Sequence, residues 1–295
     1  MDRRTLDEVA GKGMKLVTAS SCLLVLAVTS TLLVKAAPLL REISLMELLL
    51  SSSWAPMKGE FGLYPFIAGT LIVTGLALII AVPICILCAI YISEYASRRT
   101  RSVIKPLIDL LAGIPSVLYG MWGVAFVVPL VRDWLGPLVG VHSSGYCVLS
   151  GSVVLAIMVF PIIISVSEEV MKAVPFEIRE TSYALGATKW QTVKHTVMRS
   201  AYTGVLAAII LGFSRAFGET MAVIMVVGNV VKVPTSFFDS AYPLPALIAN
   251  NYGEMMTLPL YDSALMLAAL ILLLVVGSFT VLARIIQKGI MVKHR

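Results

Sequence analysis

The run "YTGVLAAIILGFSRAFGETMAVIMVVGNVV", residues 202–231, is 30 residues long and carries only two charges, Arg215 and Glu219. A helix crosses the ~30 Å hydrocarbon layer with about 20 apolar residues, so this run is long enough to span a bilayer. Its two charges are costly there. A charged side chain at the bilayer centre costs about 2.5–3.5 kcal/mol on insertion scales and needs a protein or water partner.

Working outward, five more runs of this kind occur, at residues 16–34, 66–92, 107–131, 146–165 and 264–283. None carries charge deep inside, and Asp109 lies at the mouth of the run that contains it. With 58% hydrophobic residues, 14% charged residues and a mean hydropathy of +0.92, the chain is too apolar for a soluble globular domain. The expected fold class is all-α, a polytopic membrane helical bundle with six transmembrane helices. It divides into residues 1–65 (N-terminal segment, first helix and outer loop), a core at 66–283, and a tail at 284–295. The first run follows Arg3, Arg4, Lys12 and Lys15 and precedes "KAAP", as a signal peptide would. Its apolar core of about 19 residues exceeds the usual signal core and five further spans follow, so it reads as an uncleaved helix.

Orientation follows from the basic residues. The N-terminus, the turn at 94–106, the loop at 166–201 and the tail hold 17 of the 23 lysines and arginines. The positive-inside rule therefore places both termini in the cytoplasm of a multi-pass protein. The net charge of +6 then reflects topology and contact with the lipid bilayer rather than nucleic acid.

Catalytic signals are missing. Cys22, Cys85, Cys88 and Cys147 fall in the apolar runs, where a thiol behaves as a small hydrophobe. His142, His195 and His294 are scattered over both faces, so no metal site is expected. The sequence has no phosphate-binding P-loop and no nucleophile elbow. A membrane-embedded enzyme would have only Arg215 and Glu219 to work with. A solitary channel or ion-coupled carrier stays open, although no internal repeat of the carrier type is visible.

The segment "VPFEIRETSYALGATKWQTVKHTVMRS", residues 174–200, reads as a helix, a turn and a second helix lying at the membrane surface. Pro175 suits a first helical position, Glu177 and Glu180 suit the first turns, and Gly186 ends the helix. The apolar face of Phe176, Ile178, Tyr183, Ala184 and Leu185 fits either a headgroup-level helix or a knob for a soluble partner. Periodicity leaves both open.

Glu180 and, six residues on, Gly186 resemble the E-A-A-x-x-x-G loop of ABC importer permeases. Thr181 and Ser182 stand where that pattern has two alanines, and Thr196 to Arg199 stand where it continues I-x-L-P. "IPSVLYGMWG" (114–123) and "SRAFGETMAVIMVVGN" (214–229) are similar to the PstC-type permease subunits of phosphate ABC importers. The resemblance implies the type I ABC importer permease fold and a role carrying inorganic phosphate across a prokaryotic cytoplasmic (inner) membrane. It also implies an ATPase-docking loop at about 168–200, with Glu180, Tyr183, Ala184, Leu185 and Gly186 at the contact. The implied partners are a PstA-type permease subunit, two PstB-type ATPase subunits and a PstS-type phosphate-binding protein. ATP and Mg would be used by the ATPase, with no cofactor in this chain. The alternatives are a permease for molybdate, tungstate or sulfate, or the sister PstA-type subunit itself.

On this reading the two charges line a substrate path; the alternative is an internal ion pair that locks this helix to a neighbour. Ten residues from Val205, or ~15 Å at the helical rise, Arg215 is expected near the bilayer centre, with Glu219 one turn further on the same face. The small residues Gly212, Ser214, Ala216, Gly218 and Thr220 are expected to form an open side for a helix or ligand. A guanidinium grips an oxyanion through two donors, and a carboxylate can accept a hydrogen bond from a phosphate hydroxyl that sulfate lacks. Glu219 is also expected to neutralise Arg215 when no anion is bound, with Thr220 beside it. In the run at 107–131, Pro115 between Gly113 and Gly120 is expected to kink the helix, either as a packing kink with no ligand role or so that Ser116, Tyr119 and local amides touch the anion. Pro83, Pro129 and Pro161 are read as kinks only. The outer segments at 35–65 and 232–262 are expected to be solvent-facing loops, the first with an amphipathic helix in "SLMELLLSSSW"; either could meet the binding protein.

Overall fold

The computed structural model describes residues 3–253 and 258–293; His294, Arg295 and Glu254 lie outside the described residues. Among these, six helices are long and apolar enough to cross a membrane: Gly11–Glu42, Tyr64–Tyr95, Ser116–Leu138, Val148–Lys172, Lys189–Phe217 and Tyr261–Leu282. They are called the first to sixth spans below.

The fourth span is the axis of the bundle, with 67% of its apolar window buried inside the chain. The second and fifth spans pack along it, and the sixth packs on the fifth. Ser152 Oγ donates to Val73 O at 3.0 Å, tying the fourth span to the second. The first span packs on the sixth but has none of its window buried, and Leu16, Leu24 and Leu26 are open to the surroundings. An apolar helix face without a protein neighbour is what a lipid-facing helix requires.

Two expected spans are interrupted. The run at 107–131 is a broken helix, not a kinked one. An amphipathic helix ends at Gly113, Ile114 turns extended (φ −69°, ψ 127°), and the third span starts afresh at Ser116. Proline excludes the α region for the residue before it and supplies no N–H, so Pro115 ends one helix and opens the next. By contrast the helices continue without a break through Pro83 and Pro161. The run at 202–231 also divides, into a helix ending at Phe217 and a short helix Met221–Val226.

The outer segments are structured rather than solvent loops. The 35–65 segment forms a short helix, Leu45–Leu50, and a hairpin pairing Trp54–Ala55 with Glu60–Phe61. Trp54 meets the rings of Phe61, Phe66 and Tyr261, and Leu48, Phe61 and Leu63 are buried. The segment after the fifth span folds back over the bundle. Its Asp239 and Phe237 carbonyls accept from the Val148 and Leu149 N–H groups, at 2.9 and 2.8 Å. Those N–H groups are orphans at the start of the fourth span, and the loop satisfies them. Its Tyr242, Leu244, Ala246 and Leu247 are buried in one apolar cluster with Phe66 and Tyr261.

Candidate translocation site and docking loop

Arg215 lies in the last turn of the fifth span, where carbonyl dipoles favour a cation. It shares an exposed stripe with Leu211 and Gly218, at positions i−4 and i+3. Glu219 is not one helical turn further along that face, because the helix has ended. The carboxylate sits in the break, where Oε1 accepts the Ala222 N–H at 3.2 Å, and Glu219 N donates to Ala216 O at 3.2 Å. Thr220 Oγ1 donates to Gly218 O at 3.3 Å within the same break. The carboxylate takes up an N–H that the break would leave unpaired. Among the described residues no ion pair joins Arg215 to Glu219, so the expected neutralising pair is not formed within this chain.

Glu219 instead lines a cavity of about 10 Å³ with Thr70, Thr74, Pro243 and Pro245, room for roughly one water. The small residues also behave differently from expectation. Gly212 and Ala216 face the packed side, and a Cβ on Gly212 would stand 2.6 Å from Ile163 Cγ1 of the fourth span. They allow close helix packing; the open side belongs to Leu211, Arg215 and Gly218. Phe213 stacks on Phe279 of the sixth span, with centroids 4.4 Å apart.

The third-span motif and the fifth-span motif meet. A Cβ on Gly120 would lie 2.7 Å from Met225 Sδ and 3.1 Å from the Ala222 Cα, and one on Gly123 would lie 2.8 Å from Val226 Cγ1. The glycines of "YGMWG" are thus the surface on which the helix of "GETMAV" rests. Tyr119 is buried and its hydroxyl donates to Leu111 O at 2.7 Å, satisfying a carbonyl freed by the break at Pro115. Ser116, half-buried, opens the span three residues earlier. The two broken elements, one carrying Arg215, Glu219 and Thr220 and the other opening at Ser116 and holding Tyr119, therefore meet across Gly120.

Three polar residues of this region escaped the sequence reading. Thr70 Oγ1 donates to Phe66 O and accepts the Leu244 N–H, at 2.7 and 2.8 Å, pinning the outer loop to the second span. Thr74 shares the cavity with Glu219. Asn229 (φ 51°) closes the short helix by donating Nδ2 to Ile224 O at 2.7 Å. The available signal was the i, i+4 pair of threonines in the otherwise apolar "GTLIVTG".

At the other motif, the helix Phe176–Ala184 ends at Gly186, whose φ of +82° favours glycine. Thr188 then forms a capping box with Gln191: Thr188 Oγ1 accepts Gln191 N and Gln191 Oε1 accepts Thr188 N. The helix it starts does not lie along a surface but runs on as the fifth span, since no proline or glycine interrupts it before Gly204. Glu180, Tyr183, Ala184, Leu185 and Gly186 are all exposed, Leu185 at 84%, and Phe176 stands out beside them. Two departures from the importer pattern compensate each other. Ser182 shares a hydrogen bond with Thr192 at 2.9 Å and accepts from Thr196 at 3.4 Å, joining the two arms of the loop.

Residues 81–292 match the family described as "Binding-protein-dependent transport system inner membrane component". The chain belongs to that family. It is 37% identical to a probable ABC transporter permease protein, YqgH, of Bacillus subtilis, over 95% of this chain and 91% of that one. It is also 37% identical to the phosphate transport system permease protein PstC of Xylella fastidiosa, over 80% of this chain and 76% of that one. A probable PstC of Methanocaldococcus jannaschii is 33% identical, over 75% and 76%. Among solved structures, a bacterial ABC transporter involved in import of the acidic polysaccharide alginate matches with a TM-score of 0.63 at 14% identity, covering 98% of this chain and 99% of that one. The inward-facing MetNI methionine ABC transporter matches with a TM-score of 0.55 at 18% identity, covering 78% and 94%. The fold is that of type I ABC importer permeases, and this family member is a multi-pass inner membrane transport component, not an enzyme.

Proposed function

We infer that the chain is the permease subunit of an ATP-driven importer that carries inorganic phosphate across the cytoplasmic membrane. The observation that carries this reading is Arg215, a permanent cation on an open stripe of the fifth span, just before the short helix that packs on the third-span motif similar to PstC. Guanidinium offers two parallel donors to a tetrahedral oxyanion, and the PstC relatives name phosphate as the cargo. Ser116, Thr220 and Tyr119 are the polar neighbours of that path; because the Tyr119 proton is committed to Leu111 O, its part is to hold the break in shape. Glu219 is the residue that distinguishes an anion with a proton to give from one without.

The partners follow from the same reading: a PstA-type permease completing the path, two PstB-type ATPases that use ATP and Mg, and a PstS-type binding protein delivering phosphate. Both termini and the docking loop face the cytoplasm, as the basic residues require. Glu180, Tyr183, Ala184, Leu185 and Gly186 meet the ATPase, in keeping with their joint exposure. The test is uptake of labelled phosphate into vesicles holding the complete importer, with ATP inside and binding protein outside. Phosphate uptake that depends on ATP and is not displaced by molybdate or sulfate is the expected outcome. Arg215→Lys should abolish most of it; full uptake by that variant would remove Arg215 from the path.

A further inference from the structure

At the end of the second span the helix widens into a π-helical turn, Tyr91–Tyr95, and four successive residues of that turn are held by cations from three other segments. Arg101, from the amphipathic helix Arg98–Gly113, donates Nε and Nη2 to Ile92 O at 3.1 and 2.8 Å, and Nη2 to Ser93 O at 2.9 Å. Arg179, from the helix Phe176–Ala184, donates Nη2 to Glu94 Oε1 at 2.9 Å. Lys189, the first residue of the fifth span, stands 4.5 Å from the centroid of the Tyr95 ring.

Arg179 is also bound to the fourth span. Its Nη2 donates to Met171 O at 2.9 Å, and its Nη1 donates to the Val174 carbonyl and, at 3.5 Å, to Pro175 O. One side chain of the exposed helix therefore grips the ends of the second and fourth spans together. The ion pair is nearly dry, with 11% of the Arg179 side chain and 8% of the Glu94 side chain exposed. A dry pair whose members carry several further hydrogen bonds is costly to separate and tends to move as one body. Beside it lies a cleft of about 590 Å³, lined by Glu94, Lys172, Phe176, Tyr183 and Lys189 among others, which leaves space for that body to shift. Helix π-turns recur where a helix is adapted for function.

We propose that this turn is the joint through which the docking helix moves the bundle, with Arg179, Glu94 and Lys189 as positioning residues that transmit its displacement to the second, fourth and fifth spans. The proposal rests on the docking assignment above and deepens it. Transport needs the exposed helix to be pulled and the spans to follow. Breaking the joint leaves the ATPase attached and hydrolysing while the path fails to open.

The test is phosphate moved per ATP hydrolysed, measured on the complete importer in vesicles. Glu94→Gln keeps the shape of the side chain and removes its charge; it should retain the bound ATPase and its hydrolysis while phosphate per ATP falls about 10-fold, within the usual range of coupling effects. Glu94→Asp, which keeps the charge, should recover most of the ratio, and Lys189→Gln should lower it by a smaller factor. An unchanged ratio in Glu94→Gln would overturn the proposal, as would loss of the ATPase from that variant's complex, since the pair would then only shape the docking surface. The docking assignment is tested separately by Leu185→Asp, which should lose the ATPase; its retention there would count against docking whatever Glu94 does.

Discussion

Arg215 and Glu219 look like a pair in sequence and are not one in space. Four residues apart in a helix they would face each other, but the helix ends at Phe217 and the carboxylate turns to the Ala222 N–H. Among the described residues Arg215 is in no ion pair. Glu219→Gln isolates the charge, because glutamine Oε1 can still accept the Ala222 N–H. The expected result is a stable protein that admits sulfate in vesicle uptake, since the repulsion that excludes an unprotonated oxyanion is gone. Phosphate uptake with continued sulfate exclusion would dismiss the selectivity role of the carboxylate. The positions of both charges were legible from their isolation in an apolar run. Their separation was not, because it depends on whether the backbone N–H groups beyond Gly218 find an acceptor.

Helix breaks and close approaches carry the site at the next scale. The third span starts where Pro115 denies the preceding residue a helical conformation, and Tyr119 and Glu219 supply partners that make the two breaks tolerable in an apolar surrounding. The two broken elements meet across Gly120. Gly120→Ala would place a methyl 3.1 Å from the Ala222 Cα, so the elements must separate. A loss of about 1–3 kcal/mol follows from overpacking, and it should lower the thermal unfolding midpoint of the purified complex together with uptake. Pro115 was legible as a disturbance from sequence, but kink and break differ only in what satisfies the freed groups, and those partners come from other parts of the fold. The loop at 168–200 was the most legible element. Its helix, glycine stop and second start follow from local sterics and capping, while the continuation of the second helix into the fifth span needed the whole bundle.

Over the whole molecule, the outer loop acts as a clasp on the fourth span. Asp239 Oδ2 accepts from Thr235 N, Thr235 Oγ1 and Ser236 N, with Lys232 3.3 Å from Oδ1. These donors, the Thr235 N–H foremost, hold its carboxyl down to about 2. A carboxylate depressed in the folded state adds stability above its ordinary value of about 3.9, and that contribution disappears as pH falls toward 2. Protection of the Val148 and Leu149 amides from hydrogen exchange, relative to the intrinsic rate at each pH, should therefore fall as pH is lowered from about 3.9 toward 2, since these amides donate to Asp239 O and Phe237 O. Asp239→Asn should bring the loss of protection to neutral pH, with a cost of about 1–2 kcal/mol. Protection that is flat over this range would mean that the carboxylate does not hold the clasp.

The sequence alone determined the solvent of this protein and hence its class. A bilayer demands long apolar helices wherever the chain crosses it, a requirement each segment meets by itself, so six spans, two isolated charges and a helix–turn–helix loop between the fourth and fifth spans could be read without any tertiary contact. Only the tertiary structure decided which runs are continuous and which face of the fifth span is open. It also buried the outer segments and gathered Arg101, Arg179 and Lys189 on one turn. The physical reason is that hydropathy measures transfer into lipid residue by residue, whereas a helix break or a buried ion pair is stable only when a distant part of the chain supplies the matching donor, acceptor or charge.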